Sequence, residues 1–313
     1  MIYNERDCFK NSQYNTKCIT VFCKIKSFWE VLYILFTILD KVLLNKTVVK
    51  MKVFAPYVAH NVKPGQFIIL RANKEGERIP LTVFDYNRKE GTITIIFQIV
   101  GATTKLLNEL KQGEKISDIV GPLGKPSELN GLKKVAVIGG GVGCAISYPL
   151  TKHLYEKGTI VHSIVGFRNK ELVILEEEFK KISNKFILTT DDGTYGKKGL
   201  VTNSLEDLIK SGEKYDKVIA IGPLIMMKLI CKITKKYYIK TTVSMNPIMI
   251  DGTGMCGGCR VSVGGKTKFA CVEGPDFDGH LIDFDETMKR NVIYKRLEEK
   301  AYEKTCNLLK GVN

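Results

Sequence analysis

The sequence predicts a small antiparallel β-barrel, then a doubly wound α/β domain and a C-terminal cysteine loop, and three observations carry that prediction. Short β-rich runs separated by turn residues crowd residues 37–130, which is the mark of a small barrel. From residue 132 the pattern changes to apolar strands alternating with helices, which argues a parallel sheet with helices on both faces. Between the first such strand and the first such helix stands the glycine run Gly139-Gly-Gly-Val-Gly143.

The elements follow in chain order. Residues 1–27 are polar and rich in Asn and Lys. The apolar run 28–39 is too short and too interrupted for a transmembrane span of ~20 residues, and it lacks the small-residue cleavage site of a signal peptide. Its end leads into the first barrel strand from about Leu35, so residues 1–35 form an extension to which the sequence assigns no role. Strands are expected at 42–44, 47–53, 67–70, 81–84 and 92–100, with turns at Pro64-Gly65, 73–76 and 87–91, and one helix at 105–111. Further on, strands at 134–139, 160–167, 186–189 and 217–221 alternate with helices at 145–157, 176–181 and 201–210. The last segment, from Thr241, holds the cysteine loop and a charged helical tail over 286–309.

The formal charge is +15, from 48 Lys and Arg against 33 Asp and Glu. The lysines are spread along the chain without a nucleic-acid-binding motif, so the excess is read as general composition that favours acidic cofactors or an acidic redox partner. The nine cysteines divide into three in the extension (Cys8, Cys18, Cys23), three in the C-terminal loop, and the scattered Cys144, Cys231 and Cys306. Cys144 and Cys231 read as small buried hydrophobes.

A glycine run between strand and helix lets the chain turn tightly and lets a phosphate approach the backbone at a helix N-terminus. Gly139 to Gly143 are therefore candidates for a dinucleotide. The acidic residue expected ~20 positions on to hold a ribose hydroxyl is missing, because residues 161–168 contain no Asp or Glu. Arg168 and Lys170 are suited to a 2′-phosphate, so NAD and NADP both stay open. A second loop, Gly222-Pro223 through Met226-Met227, follows the last strand at its C-terminal end, with core packing expected of the methionines. In the barrel, Arg78-Ile-Pro-Leu-Thr82 and Gly101-Ala-Thr-Thr104 combine a phosphate-capable donor with hydroxyls or a glycine turn, and an arginine clamps a pyrophosphate through paired N–H donors.

Asp251, Cys256, Cys259 and Cys271 are spaced as in the plant-type [2Fe–2S] pattern C-x4-C-x2-C…C, with Asp in the first position. Zinc is disfavoured because His280 has no partner at a usual spacing. A Cys256–Cys259 disulfide is disfavoured because nothing marks the chain as secreted. A carboxylate is a harder donor than a thiolate, so Ser244 or a residue elsewhere stays open as the fourth ligand instead.

Arg-x-Pro-Leu-Thr in a barrel, a glycine-turn domain and the stretches 246–260 and 270–278 follow one another in an order that resembles the ferredoxin–NADP reductase superfamily. More narrowly, the chain resembles dihydroorotate dehydrogenase electron-transfer subunits. It is also similar to the small FAD subunits of NADH-dependent reduced ferredoxin:NADP oxidoreductases, also called sulfide dehydrogenase FAD subunits. The dihydroorotate branch generally carries Cys where Asp251 stands, which favours the latter group. The resemblance covers Leu35 to the C-terminus. It implies a flavin-binding β-barrel over 36–130, an NAD(P)-binding α/β domain over 131–240, and a [2Fe–2S] segment with helical tail over 241–313.

The resemblance further implies that Arg78, Pro80, Leu81 and Thr82 line an FAD, with Arg78 at the phosphates and Thr82 near the isoalloxazine, and that Gly101, Thr103 and Thr104 help hold it. Gly139, Gly140, Gly141 and Gly143 with Asp192-Gly193 and Gly222-Pro223 would hold NAD(H) or NADP(H). Asp251, Cys256, Cys259 and Cys271 would be the metal ligands. The function implied is electron transfer in the cytoplasm, with bifurcation left open, to or from a larger iron–sulfur flavoprotein subunit with ferredoxin reached indirectly. No nucleic acid or membrane partner is implied. Hydride transfer needs no side-chain acid or base, so no catalytic residue is named. A dihydroorotate dehydrogenase subunit and a stand-alone NAD(P)H reductase are the alternatives. The tail and the edge beside the cysteine loop are the expected docking surfaces.

Overall fold

In the computed structural model, residues 35–74 and 76–310 are described, with side chains to residue 305. The expectations for residues 1–34 lie outside them. Asn45 opens a tight turn: its side-chain oxygen accepts from the backbone N–H groups of Thr47 and Val48, both at 2.9 Å, which is how Asn replaces a backbone partner in a turn. That turn joins β1 (Ile38–Asn45) to β2 (Val48–Phe54). After the short α1 (Pro56–Asn61), with proline in its first turn, come β3 (Phe67–Arg71), β4 (Ile79–Asn87) and β5 (Thr92–Gln98). The helix α2 (Ala102–Glu109) and β6 (Asp118–Leu123) complete this half.

The six strands pair antiparallel in the order β1-β2-β5-β4-β3-β6. Ile38 N–H donates to Glu114 O at 2.8 Å and Ile116 N–H to Phe36 O at 3.1 Å, so the chain entering β6 meets the start of β1 and the layer closes on itself. Its inside is apolar, built from Met51, Ile68, Leu70, Ile93, Ile95 and Phe97.

The second half alternates as the sequence predicts: β7 (Lys134–Gly140), α3 (Gly143–Glu156), β8 (Ile160–Phe167), α4 (Glu176–Lys181), β9 (Lys185–Thr190), β10 (Lys197–Lys198), α5 (Val201–Lys210), β11 (Lys217–Ile221), α6 (Leu224–Lys236) and β12 (Thr241–Ser244). Three corrections emerge. The barrel helix starts at Ala102 rather than 105, because Thr104 caps it. Residues 224–227 are the first turn of α6, not a loop, with Pro223 at the N-cap; Met227 is fully buried in the core, as expected of it. The tail is not one helix but two, α8 (Phe284–Asn291) and α9 (Lys295–Lys310).

The last segment adds the hairpin β13 (Arg260–Val263) and β14 (Lys266–Phe269), the one-turn α7 (Ala270–Glu273), and β15 (Asp276–Asp278). The large sheet runs β10-β9-β8-β7-β11-β12-β15. All its pairs are parallel except β12 with β15. The cysteine segment therefore completes this sheet while also sharing a core with the barrel: Met249, Cys259, Val261 and Cys271 pack in one cluster with Phe67 and Ile69.

Candidate cofactor and electron-transfer site

The order of the sheet reverses at β7, which has β8 on one side and β11 on the other. Open α/β sheets bind ligands at that switch point, outside the C-terminal ends of the strands. Both predicted loops sit there, and they close on each other. A Cβ on Gly140 would lie 2.5 Å from Met226 Sδ and 3.0 Å from Pro223 Cδ, and one on Gly143 would lie 2.8 Å from Gly222 Cα. Gly141 differs: its φ is +55° and nothing stands within 4 Å of where a Cβ would be. The turn thus pairs close backbone packing with one open face, the form a pyrophosphate cradle requires. Cys144, just inside α3, is fully buried and its thiol is pushed up by desolvation, so it is packing material.

Asp192 and Gly193 lie at the same end of the sheet, in the exposed β9–β10 loop, on the far side of β8 from the glycine turn. Asp192 accepts from Thr194 N–H at 2.9 Å and from its hydroxyl at 2.7 Å, and these bonds hold its carboxyl below the usual range. Lys170 N–H donates to Thr194 Oγ1 at 2.9 Å, which ties the strand end carrying Arg168 and Lys170 to this loop. Asn169 Oδ1 beside them is buried with no partner.

On the barrel, β4 pairs with β3 so that Pro80 faces Ile69, Leu81 faces Ile68 and Thr82 faces Phe67. Arg78 Nη2 donates to Asp118 Oδ2 at 3.1 Å, and Arg71 Nη2 stands 3.9 Å from the same oxygen. Arg71 Nε is buried and unpaired. Two guanidiniums sharing one carboxylate, with a donor left over, suit a phosphate. Sequence reading missed Arg71 and Asp118; their proximity comes from β3–β6 register, where Arg71 faces Asp118. Thr103 and Thr104 are buried, but Thr104 Oγ1 accepts from Val100 and Gly101 N–H at 3.0 and 2.9 Å. It is a helix cap first. Gly101 has open space where a Cβ would stand.

In the cysteine loop, Asp251 accepts from Thr253 N–H at 2.7 Å and Cys256 N–H at 2.6 Å, which holds its carboxyl below the usual range. Cys259 and Cys271 are buried with their sulfurs 3.2 Å apart, whereas Cys256 is exposed. Desolvation, reinforced by Cys259, pushes the Cys271 thiol up to about 12, so a metal must displace a proton there. All five described cysteines outside the tail are free thiols. Among the described residues no three His, Cys, Asp or Glu side chains gather around one point as for a single ion; the Cys259 and Cys271 sulfurs pair with each other, and the Asp251 carboxylate lies against the Cys256 backbone. Three thiols and a carboxylate on a glycine-rich loop fit a two-iron centre. Ser244 stands beside the Asp276 carboxyl, with which its residue is in register across β12 and β15. Gly252, at φ +80°, lets the loop lie flat on the barrel: a Cβ there would be 2.6 Å from Leu123 Cδ1 and 3.0 Å from Ile69 Cδ1.

Residues 246–283 match the iron-sulfur cluster binding domain of dihydroorotate dehydrogenase B. Over 249 residues the chain is 32% identical to the dihydroorotate dehydrogenase B (NAD(+)) electron transfer subunit of Fusobacterium nucleatum subsp. nucleatum, covering 76% of this chain and 94% of the relative. The chain belongs to that electron transfer subunit family. A Thermotoga maritima homologue of the subunit is 44% identical over 267 residues, covering 85% of this chain and 94% of its own. A chain from the structure of NADH-dependent reduced ferredoxin-NADP oxidoreductase, which bears on flavin-based electron bifurcation, superposes with a TM-score of 0.82 at 43% identity. The match covers 86% of this chain and 97% of that one. Among the described residues, no helix is long and apolar enough to cross a membrane.

Proposed function

We propose that the chain is the electron-transfer flavoprotein subunit of a cytoplasmic heterodimer, passing electrons between a nicotinamide nucleotide, FAD and a [2Fe–2S] cluster to or from a larger iron–sulfur flavoprotein subunit. Bound FAD supplies the conversion between a two-electron hydride and single electrons, which a nicotinamide and an iron–sulfur cluster cannot exchange directly. The carrying observation is the seat of the cysteine loop. Gly252 rests on Ile69, and Ile69 is in register with Pro80, so the cluster ligands and the flavin strand flank one pair of strands.

The residues then divide the work. Arg78, oriented by Asp118 and joined by Arg71, holds the flavin phosphates, with Gly101, Thr103 and the cap Thr104 beside them; Pro80, Leu81 and Thr82 line the ring. Gly139, Gly140, Gly141 and Gly143 with Gly222 and Pro223 hold the nucleotide pyrophosphate, and Asp192-Gly193 borders its far end. Asp251, Cys256, Cys259 and Cys271 hold the cluster. The division at about residues 130 and 240 belongs to this reading. The kinship with the ferredoxin-NADP oxidoreductase chain favours a bifurcating partner with ferredoxin as a distant acceptor. The 246–283 match favours dihydroorotate as the partner subunit's substrate, and Asp251 weighs against it.

Anaerobic rapid mixing of the chain with NADH or NADPH tests the reading. Bleaching of the flavin by NADH is expected, with NADPH slower; a chain bleached by neither would defeat it. Copurification of the native chain identifies the larger subunit, and its absence would favour a stand-alone reductase.

A further inference from the structure

The barrel and the α/β domain meet along β4 and α3, and each element carries a cofactor motif at one end and a contact residue further along. Pro80 to Thr82 lie on β4, followed on the same strand by Phe84 and Asp85. The glycine turn ends at Gly143, the first residue of α3, and Tyr148 and Lys152 follow on that helix. Four residues apart, they share one face. The Tyr148 ring stacks on Phe84 with centroids 4.6 Å apart and planes 19° apart. It also meets Phe179 edge-on at 5.5 Å. One helical turn on, Lys152 Nζ donates to Asp85 Oδ1 at 3.0 Å. Phe84 is only 5% exposed, and it shares a core with Cys144, Ala145 and Phe179 from the other domain.

We infer that Tyr148 and Lys152 are positioning residues that hold the nicotinamide turn in fixed register with the flavin strand. The inference rests on the proposed function for the identity of the two sites, not for the seam itself. Neither residue belongs to the glycine turn or to the flavin strand motif. Rotating α3 on β4 about this contact would shift Gly139–Gly143 against Pro80–Thr82. Transfer between bound groups requires reacting atoms about 3–3.5 Å apart, and a displacement of about 1 Å costs ~10²-fold in rate. Two further observations fit a rigid seam. Burial pushes the Tyr148 hydroxyl up from its ordinary value. Desolvation of Lys152 is outweighed by the Asp85 hydrogen bond and charge, so its ammonium is held above its ordinary range.

The experiment separates positioning from binding. Tyr148→Leu, Tyr148→Phe and Lys152→Met are mixed anaerobically with a concentration series of NADH. Tyr148→Leu should lower the limiting rate of flavin bleaching about tenfold or more, with the apparent nucleotide dissociation constant within about twofold of wild type. Tyr148→Phe, which keeps the stack, should restore the rate to within about twofold. Lys152→Met should lower it about threefold, since the ion pair is half-exposed. The long-wavelength absorption of stacked nicotinamide and reduced flavin should weaken in Tyr148→Leu and return in Tyr148→Phe. Unchanged limiting rates in Tyr148→Leu and Lys152→Met, or a loss confined to nucleotide affinity, would overturn the inference. Hydrogen exchange of the purified chain without nucleotide gives a readout independent of turnover: Tyr148→Leu should speed exchange at β4 and α3 together. If neither nucleotide bleached the wild-type flavin, the proposed function would fail, and unchanged exchange at that seam would then decide against the clamp as well.

Discussion

Gly143→Ala is the sharpest test of how the nucleotide turn is built. The added methyl would lie 2.8 Å from Gly222 Cα and 2.9 Å from Ile221 C, whereas carbon atoms rest comfortably about 3.5–4.0 Å apart. Both obstacles are main chain in adjacent parallel elements, so no side chain can swing aside, and α3 must withdraw from β11 by about 1 Å. Overpacking of this kind costs about 1–3 kcal/mol, and main-chain partners put it at the upper end. Replacing glycine by alanine in a helix returns about 1 kcal/mol, leaving a net loss of about 2 kcal/mol. At roughly 2–4 °C per kcal/mol for a chain of this size class, Tm should fall by about 5 °C. The displaced turn should slow nucleotide-driven flavin bleaching about 10²-fold. Gly140→Ala is the internal comparison: its nearest obstacles are Met226 Sδ and Pro223 Cδ, and a methionine side chain yields, so the loss should be about 1 kcal/mol. Tm is read by thermal unfolding of the flavin-loaded chain and the rate by rapid mixing. A Gly143→Ala protein with wild-type Tm and rate, or one less affected than Gly140→Ala, would refute the close approach of the two turns.

Cys259→Ser should abolish or cripple the cluster while FAD stays bound; unchanged iron and acid-labile sulfide would count against the cluster assignment. Asp251→Cys should keep a [2Fe–2S] centre with a shifted reduction potential, because ligand type sets it, and Asp251→Ala should leave the centre labile; equal potentials and lifetimes in all three proteins would remove Asp251 from the ligand set. His162 is buried with its ring nitrogen 2.9 Å from Tyr215 Oη, and desolvation depresses its pKa below 6.5. Its contribution to stability is therefore complete above pH 6.5 and lost as pH falls through the depressed value; Tm of His162→Gln should fall less steeply from pH 7.5 to 5.5 than wild type, and parallel profiles would contradict this. Removing residues 295–313 should weaken FAD retention about fivefold, since Lys105 Nζ on α2 lies 5.4 Å from the Tyr302 ring centroid on α9 and such contacts contribute about 1 kcal/mol; unchanged flavin affinity would return the tail to a purely docking role.

Elements with strong local signals were legible. The run 134–139 is wholly apolar after its lysine and could only be a buried strand, and the glycines at 139–143 marked the turn that follows it. The spacing of Asp251, Cys256, Cys259 and Cys271 was equally plain to read as a candidate ligand set, because a short loop writes its geometry into sequence separation. What escaped depended on distant partners. β6, β12 and β15 are strands because β3, β11 and one another's edges offer hydrogen bonds, not because Asp118-Ile-Val-Gly-Pro-Leu or Asp276-Phe-Asp has a strong period. Arg71 and Asp118 look like ordinary surface charges until strand register sets them opposite each other. The break at Val292–Tyr294 in the tail also escaped, because these three residues stand between two charged helical runs with no Gly or Pro to mark a stop, and the second run packs on α2.

The two rims of the large sheet are finished differently, and the difference links iron to solubility. One rim is β10, two exposed lysines long, a stub too short and too charged to recruit another strand. The other is β15, an Asp-Phe-Asp triplet whose backbone covers β12 through Thr242–Asp278, Val243–Phe277 and Ser244–Asp276 pairing. Only the first of these guards is intrinsic to the α/β domain. The second is delivered by the same segment that carries Cys259 and Cys271, so a chain that loses its cluster and loosens that segment bares the ladder of Thr241–Ser244. Oxidative damage at the metal would then be felt first as clumping, before either nucleotide turn or flavin strand had unfolded.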